Sequence, residues 1–413
     1  MMITTSEPAS TWHRYPLDRI HDAPSSATPN NVARLTDLIR YHHSLYQMEY
    51  RDRPNVLTRV LVCLYDLGAS QAQLEKVYYT VQGNLQSLRS VHATIHQDNW
   101  QEHLGHSSAY GDYLMFFDGE LVRLGLDTLV DTYFYQSSLS DSAGSQLQPL
   151  VHLAFGLEKR LPDIVTQSLA YLASTHLPVS ELIEPLSEPL IGDRTTSSTS
   201  SAQSLETLLL DLVSADPRFD GKMEGDNTFH SAVKLLLKSK HDLLQTYMAE
   251  WVKLPFESSQ QRLGSLTLLA IRFMSLGSQQ SQEHDQVELD PFLGGGQLLQ
   301  SALAIRTLTN HRPQYLDRFV NLQFVATLCT YVVQGRPKPS KSVPSGLTLS
   351  SNTWADCVAH IVESGDPKAI LAIHSLIQAR ELNEQQCLDT AAILVRFSQN
   401  GSWIKGGIGQ SSR

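Results

Sequence analysis

The sequence predicts an all-α protein, folded as a single irregular multi-helix body, and three observations carry that reading. Apolar residues recur at three- and four-residue intervals along most of the 413 residues, the spacing that gathers them on one face of a helix. Runs of strict alternation, the mark of a half-buried strand, are short. Hydrophobic residues make up 41% of the chain and charged ones 18%, which is enough apolar material for a substantial core.

Taken in order, residues 1–30 lack periodicity and are expected to be a flexible N-terminal segment ahead of a helical domain over 31–398. From residue 31, "NVARLTDLIRYHHSLYQMEY" sets Val32, Leu35, Leu38, Ile39 and His42 or His43 on one side. "VLTRVLVCLYDLG" is a second helix stopping at Gly68, and Ser70 with Gln73 makes a capping box that opens "QAQLEKVYYTVQGNL". Helical spacing continues over 109–125, 145–158, 162–175, 204–214, 230–252, 258–275, 296–309, 313–334, 352–363, 367–379 and 383–398. Three polar stretches break the pattern as loops: 193–204, 277–288 and the Pro-, Gly- and Lys-rich 335–346. The first is the best boundary between two sub-lobes. Residues 399–413 read as a tail, and no self-similar period marks a solenoid.

The formal net charge of −10 comes from scattered acidic residues, with no Lys/Arg block to track phosphates, so nucleic acid is not an expected partner. No apolar run is long enough to span a bilayer, and "MMITTSEPASTWHRYP" has no apolar leader core. A cytoplasmic protein without membrane contact is expected, its oligomeric state left open. Cys63, Cys329, Cys357 and Cys387 form no CxxC pair and read as reduced, buried small hydrophobes.

Nucleotide fingerprints are absent. "FLGGGQLLQ" puts Gly294, Gly295 and Gly296 before a helix but lacks the GxGxxG spacing, the preceding strand and a following Lys-Ser/Thr, and "KGGIGQ" sits in the tail. No flavin-type Rossmann motif or P-loop can be read, and neither GxSxG nor HExxH occurs. Among the histidines, His42 and His43 point about 100° apart on a helix. His103 and His106 are three apart and could share a metal, although the turn-forming Gly105 between them favours exposed polar residues. His152, in "QPLVHLAFGLEKRLPDIV", is surrounded by apolar residues. Burial favours the neutral imidazole, the form that ligates metals and also the form that sits quietly in a core. Tyr110, Tyr113 and Phe117 lie on one helical stripe, as core packing or as a wall for a flat ligand.

"LYDLGASQAQLEKVYY", "HLGHSSAYGDYLMFFDGELVRLG" and "QPLVHLAFGLEKRLPDIVTQSLAYLA" together resemble, in order and spacing, the questin oxidase-like proteins, a largely fungal family acting on aromatic polyketides. The resemblance covers most of the first 180 residues. It implies Baeyer–Villiger-type oxygenation or ring opening of an anthraquinone-like substrate in secondary metabolism, with molecular oxygen and NADPH and no flavin domain. It also implies further histidines, where this chain has Pro54, Val56, Arg59 and Val60, then Gln323, then Lys368 and Leu371. A non-haem iron is one cofactor the resemblance raises, with His103, His106 and His152 as the candidate ligands.

Two readings follow. In the first the chain is an oxidoreductase of aromatic polyketide metabolism. In the second it is a metal-free relative that binds the same flat ligand without redox chemistry. Either way, His152, Tyr110, Tyr113 and Phe117 are expected to line one cavity big enough for a tricyclic aromatic. His152 would act as a neutral hydrogen-bond donor or general base. Glu158 would contact the substrate, and could fix the His152 tautomer only if the helix breaks near Gly156.

Overall fold

A computed structural model of the chain describes residues 29–43, 45–50, 53–89, 91–184, 203–219, 228–280, 286–338, 353–404 and 407–410. Its order begins with α1 (Pro29–His43), the two-residue strands β1 (Glu49–Tyr50) and β2 (Arg53–Pro54), α2 (Leu57–Asp66) and α3 (Gln71–Gln82). The helix expected through Tyr50 ends at His43 because Glu49 is claimed elsewhere: Tyr171 and Ser145 both donate hydrogen bonds to its carboxylate. The capping box is present, with the Ser70 hydroxyl accepting from the Gln73 N–H and the Gln73 side chain accepting from the Ser70 N–H.

Next come α4 (Tyr110–Leu124), α5 (Leu126–Val130), a π-helical turn Asp131–Tyr135, α6 (Gln148–Glu158), α7 (Pro162–Ser174) and α8 (Ser180–Ile183). α7 is buried from Ile164 through Ser174 and packs against both α4 and α6. The close approach of α6 and α7 depends on Gly156, where a Cβ would meet Ile164 and Val165 side-chain carbons at 3.0 Å.

A second π-helical segment, Thr207–Val213, precedes α9 (Phe229–Ser239) and α10 (His241–Lys253). These two replace the one helix expected over 230–252, since Lys240 leaves helical geometry at φ −124°. The chain continues through α11 (Ser259–Leu276), β3 (Ser278–Gln280), β4 (Val287–Leu289), α12 (Gln297–His311), α13 (Leu316–Val333), α14 (Trp354–Ser364), α15 (Pro367–Ala379), α16 (Glu384–Asn400) and β5 (Ser402–Trp403).

The small sheet corrects two expectations. Residues 277–288 are not simply a loop, because β3 pairs antiparallel with β4 and Val287 and Leu289 alternate into the core. Nor is 399–413 free throughout. β5 pairs parallel with β4, Trp403 packs its ring on Phe397, and the buried Ile408 donates its N–H to Asp290. The glycine loop before α12 is an elbow, its three glycines buried, with Gly294 against Gly277, Gly295 against the Pro291 backbone and Gly296 against Met274. Residues 193–202 and 339–346 of the other two expected loops, and nearly all of 1–30, lie outside the described residues.

The fold is all-α with small sheets, as the periodicity predicts. No helix among the described residues is long and apolar enough to cross a membrane. All four cysteines are unpaired and buried.

Candidate active site

Four helices, α2, α6, α12 and α15, surround one cavity, and three of them contribute a stripe at positions i, i+3, i+4 and i+7: Val151 to Glu158, Gln300 to Thr307, and Leu371 to Gln378. That spacing is one face of a helix. α2 adds Arg59 and Cys63, one turn apart. The cavity volume is about 40 Å³, room for a few water molecules. It is therefore smaller than the tricyclic-sized space expected, and a larger ligand must displace the half-buried Phe155, Glu158, Thr307 and Gln378 at its rim.

The first turns of α2, α6 and α12 meet at the floor. The Arg59 guanidinium donates to Gln300 Oε1 at 3.2 Å and to Gln148 Oε1. Gln148 in turn donates to Gln297, Gln297 to the Gln146 carbonyl at 3.0 Å, and Gln146 to Thr330 at 2.9 Å. The turn that feeds this relay is strained: Ser145, Gln146 and Leu147 all take left-handed φ, at 48°, 53° and 61°. Such geometry costs about 1–2 kcal/mol per residue, so the surrounding contacts must hold it. This is why helix α6 starts at Gln148 instead of 145. Burial lowers the Arg59 pKa to about 10, which still leaves the group charged at neutral pH.

Further along α2 lies a sealed ionic cluster. Asp66 Oδ2 accepts from Lys159 Nζ at 2.7 Å and from His374 Nε2 at 3.1 Å, with all three residues at 6% exposure or less. Burial alone would lower the His374 pKa. The Cys63 and Asp66 side chains beside it reverse that and raise it to about 10, so the ring holds its proton at neutral pH. The Gln378 amide lies 3.4 Å from the other ring nitrogen. Arg59, Cys63 and Asp66 reach this arrangement because they share one stripe of a helix whose ten residues are all buried.

The residues singled out from sequence fall in several places. Glu158 lines the cavity. His152 does not: it is about 100° around α6 from Val151 and faces α7, its Nε2 donating to Gln167 Oε1 at 3.2 Å while Nδ1 has no partner among the described residues. Burial, with Arg59 next in effect, lowers its pKa to about 3. α6 runs unbroken through Gly156 to Glu158, so Gln167 and not Glu158 orients the ring. Tyr110, Tyr113 and Phe117 are also absent from the cavity lining. Tyr113 stacks on Phe117 at 6.0 Å and donates to the Trp100 carbonyl at 2.6 Å, within an aromatic group that includes Tyr133. Burial drives the Tyr110 phenol far above its usual range. His103 is half-buried and His106 exposed, on either side of the turn at Gly105. Gly105 bonds Ala173, six residues along α7 from Gln167 and about 9 Å away along the axis, so this pair does not converge with His152.

Sequence reasoning missed Arg59, Cys63, Asp66, Lys159 and His374 as a group. The available signal was polar side chains at i, i+4 and i+7 in an otherwise apolar helix. Two positions where the resemblance implied imidazoles, Arg59 and Leu371, do line the cavity.

A non-haem iron requires neutral imidazoles or carboxylates free to coordinate. His374 gives Nε2 to Asp66 and keeps its proton, and among the described residues no three His, Cys, Asp or Glu side chains are arranged to hold an ion. The described residues do not fit that metal.

Comparison with known proteins bears on the same region. A questin oxidase-like family model matches residues 54–376, a span that includes every cavity-lining residue except Gln378. Questin oxidase of Aspergillus terreus is 24% identical over 169 residues, 38% of this chain and 37% of its own length. The Baeyer–Villiger monooxygenase AacuH of Aspergillus aculeatus is 24% identical over 158 residues, 35% and 33% of the two chains. The Baeyer–Villiger oxidase GME11358 of Pestalotiopsis microspora is 26% identical over 151 residues, 33% and 34%. Each alignment thus spans less than half of the relative's length. With the family match extending over more than half of the chain and enclosing the four-helix cavity, the chain belongs to the questin oxidase-like family.

Proposed function

We propose that this protein is an oxidoreductase of fungal secondary metabolism that inserts oxygen into, or opens a ring of, an anthraquinone-like aromatic polyketide bound in the four-helix cavity. The observation that carries the reading is the coincidence of the family match with the cavity. Relatives similar to this chain are named questin oxidase, Baeyer–Villiger monooxygenase and Baeyer–Villiger oxidase. Val151, Ala154, Leu303, Ala304 and Leu371 provide an apolar wall for a flat ring. His374, which lines the cavity and holds its proton, places positive charge beside a substrate carbonyl as negative charge develops on its oxygen. Dioxygen and NADPH are the co-substrates in this reading. One oxygen atom enters beside the carbonyl and the other leaves as water, the NADPH hydride supplying the two electrons and a proton completing the water.

The test is to incubate the purified protein with hydroxylated anthraquinones, NADPH and isotope-labelled dioxygen. The expected product carries one labelled oxygen with matching NADPH consumption, and His374→Gln lowers its rate about a hundredfold. Ligand binding without oxygen uptake would overturn the oxidative reading and favour a non-redox relative with the same pocket.

A further inference from the structure

Arg59 is a buried cation with no anion of its own. It is 2% exposed, and among the described residues no carboxylate lies within ion-pair distance of it. Glu158 stands at the half-exposed rim, and Asp66 is already shared by Lys159 and His374. Of the five N–H donors a guanidinium offers, one goes to Gln148 and one to Gln300, and the buried Nε–H has no partner among the described residues. The glutamines orient the fork without neutralising it, because their own amide N–H groups are committed to Gln297 and the Gly295 carbonyl. Of the other titratable neighbours, Cys63 and Tyr171 favour the charged guanidinium, but neither is a carboxylate. His152 is kept neutral by burial, and Tyr171 donates its hydroxyl to Glu49. The first turns of α2, α6 and α12 point their positive ends at the same floor.

We propose that this floor is a carboxylate subsite, in which Arg59 grips a carboxylate carried on the aromatic ring of the ligand. A buried charge is costly unless paired, and the planar fork, with Nε–H and a neighbouring N–H still to donate, matches a carboxylate side-on. The inference rests on the reading of the cavity as the substrate site and deepens it by naming the charge of the ligand.

The experiment compares benzoate with its neutral isostere benzamide by calorimetric titration of the full-length protein, then anthraquinone-2-carboxylate with unsubstituted anthraquinone. Wild type is expected to bind benzoate at least about tenfold more tightly than benzamide, and Arg59→Met is expected to abolish that preference. Arg59→Gln is the second variant, should the methionine protein fail to fold. Equal affinity of the wild type for benzoate and benzamide, or a preference that survives in the folded variant, overturns the subsite. If benzoate shows the preference but neither anthraquinone binds, the subsite stands and the polyketide reading fails.

Discussion

His374 Nε2 lies 3.1 Å from Asp66 Oδ2, a residue 308 positions earlier in the chain, and the same oxygen takes the Lys159 ammonium at 2.7 Å. One carboxylate therefore faces two cationic partners from α15 and from the turn after α6, and ties both to the end of α2. Removing its charge leaves two buried cations without their counter-ion. Asp66→Asn is expected to cost about 3–5 kcal/mol at neutral pH, measured by chemical denaturation. A loss below about 1 kcal/mol would show that the cluster does not hold these helices together.

The histidines set opposite limbs of the stability profile. His374 is raised from 6.5 to about 10 in the fold, so its contribution is complete below pH 6.5 and fades as pH rises through 10. Burial lowers His152 to about 3 and His42 to about 4. Between those values and 6.5 the unfolded chain takes up protons that the folded one refuses, so stability falls as the medium is acidified. Each such proton contributes a slope of about 1.4 kcal/mol per pH unit. Unfolding free energies measured across this range should peak near pH 6.5. His374→Gln should flatten the alkaline limb and His152→Leu the acid limb. An alkaline slope unchanged in His374→Gln would contradict the assignment.

Gly156 lets α6 and α7 touch. A methyl there meets Ile164 and Val165 at 3.0 Å, an overpacking cost of about 1–3 kcal/mol against a helix-propensity gain of about 1 kcal/mol. Gly156→Ala should lower the melting temperature by several degrees. Gly144→Ala is more severe, because its Cβ would sit 2.0 Å from the Thr175 carbonyl oxygen, and little folded protein is expected.

Cys63 should be the thiol that reacts first in the folded protein. It lines the cavity and hydrogen-bonds to His374. Burial meanwhile pushes the thiols of Cys329 and Cys387 up to about 12 and that of Cys357 up to about 11, which suppresses their thiolates. Mass spectrometry after brief iodoacetamide treatment should find Cys63 labelled ahead of the other three, and more slowly in His374→Gln. Even labelling of all four would contradict this.

What the sequence determined by itself is what depends on neighbours within a turn or two. The capping box of Ser70 and Gln73, the helices expected over 109–125 and 162–175 and the stop near Gly68 are local choices, and each is present. Family membership was legible for the same reason, since "HLAFGLE" and its companion segments are contiguous. The candidate site was not. α6 is apolar on nearly every side, so periodicity could not say whether His152 or the stripe from Val151 to Glu158 faces a cavity, and a rotation of about 100° separates the two answers. Only the tertiary structure sends His152 toward Gln167 and brings His374 to Asp66 and Cys63. The same holds for Ser145 to Leu147, whose helical spacing is overridden by hydrogen bonds to Glu49 and Thr330, far away in the chain. Long-range pairing of buried polar groups decides these positions, because each must find a partner once removed from water, and no local pattern encodes which partner that is.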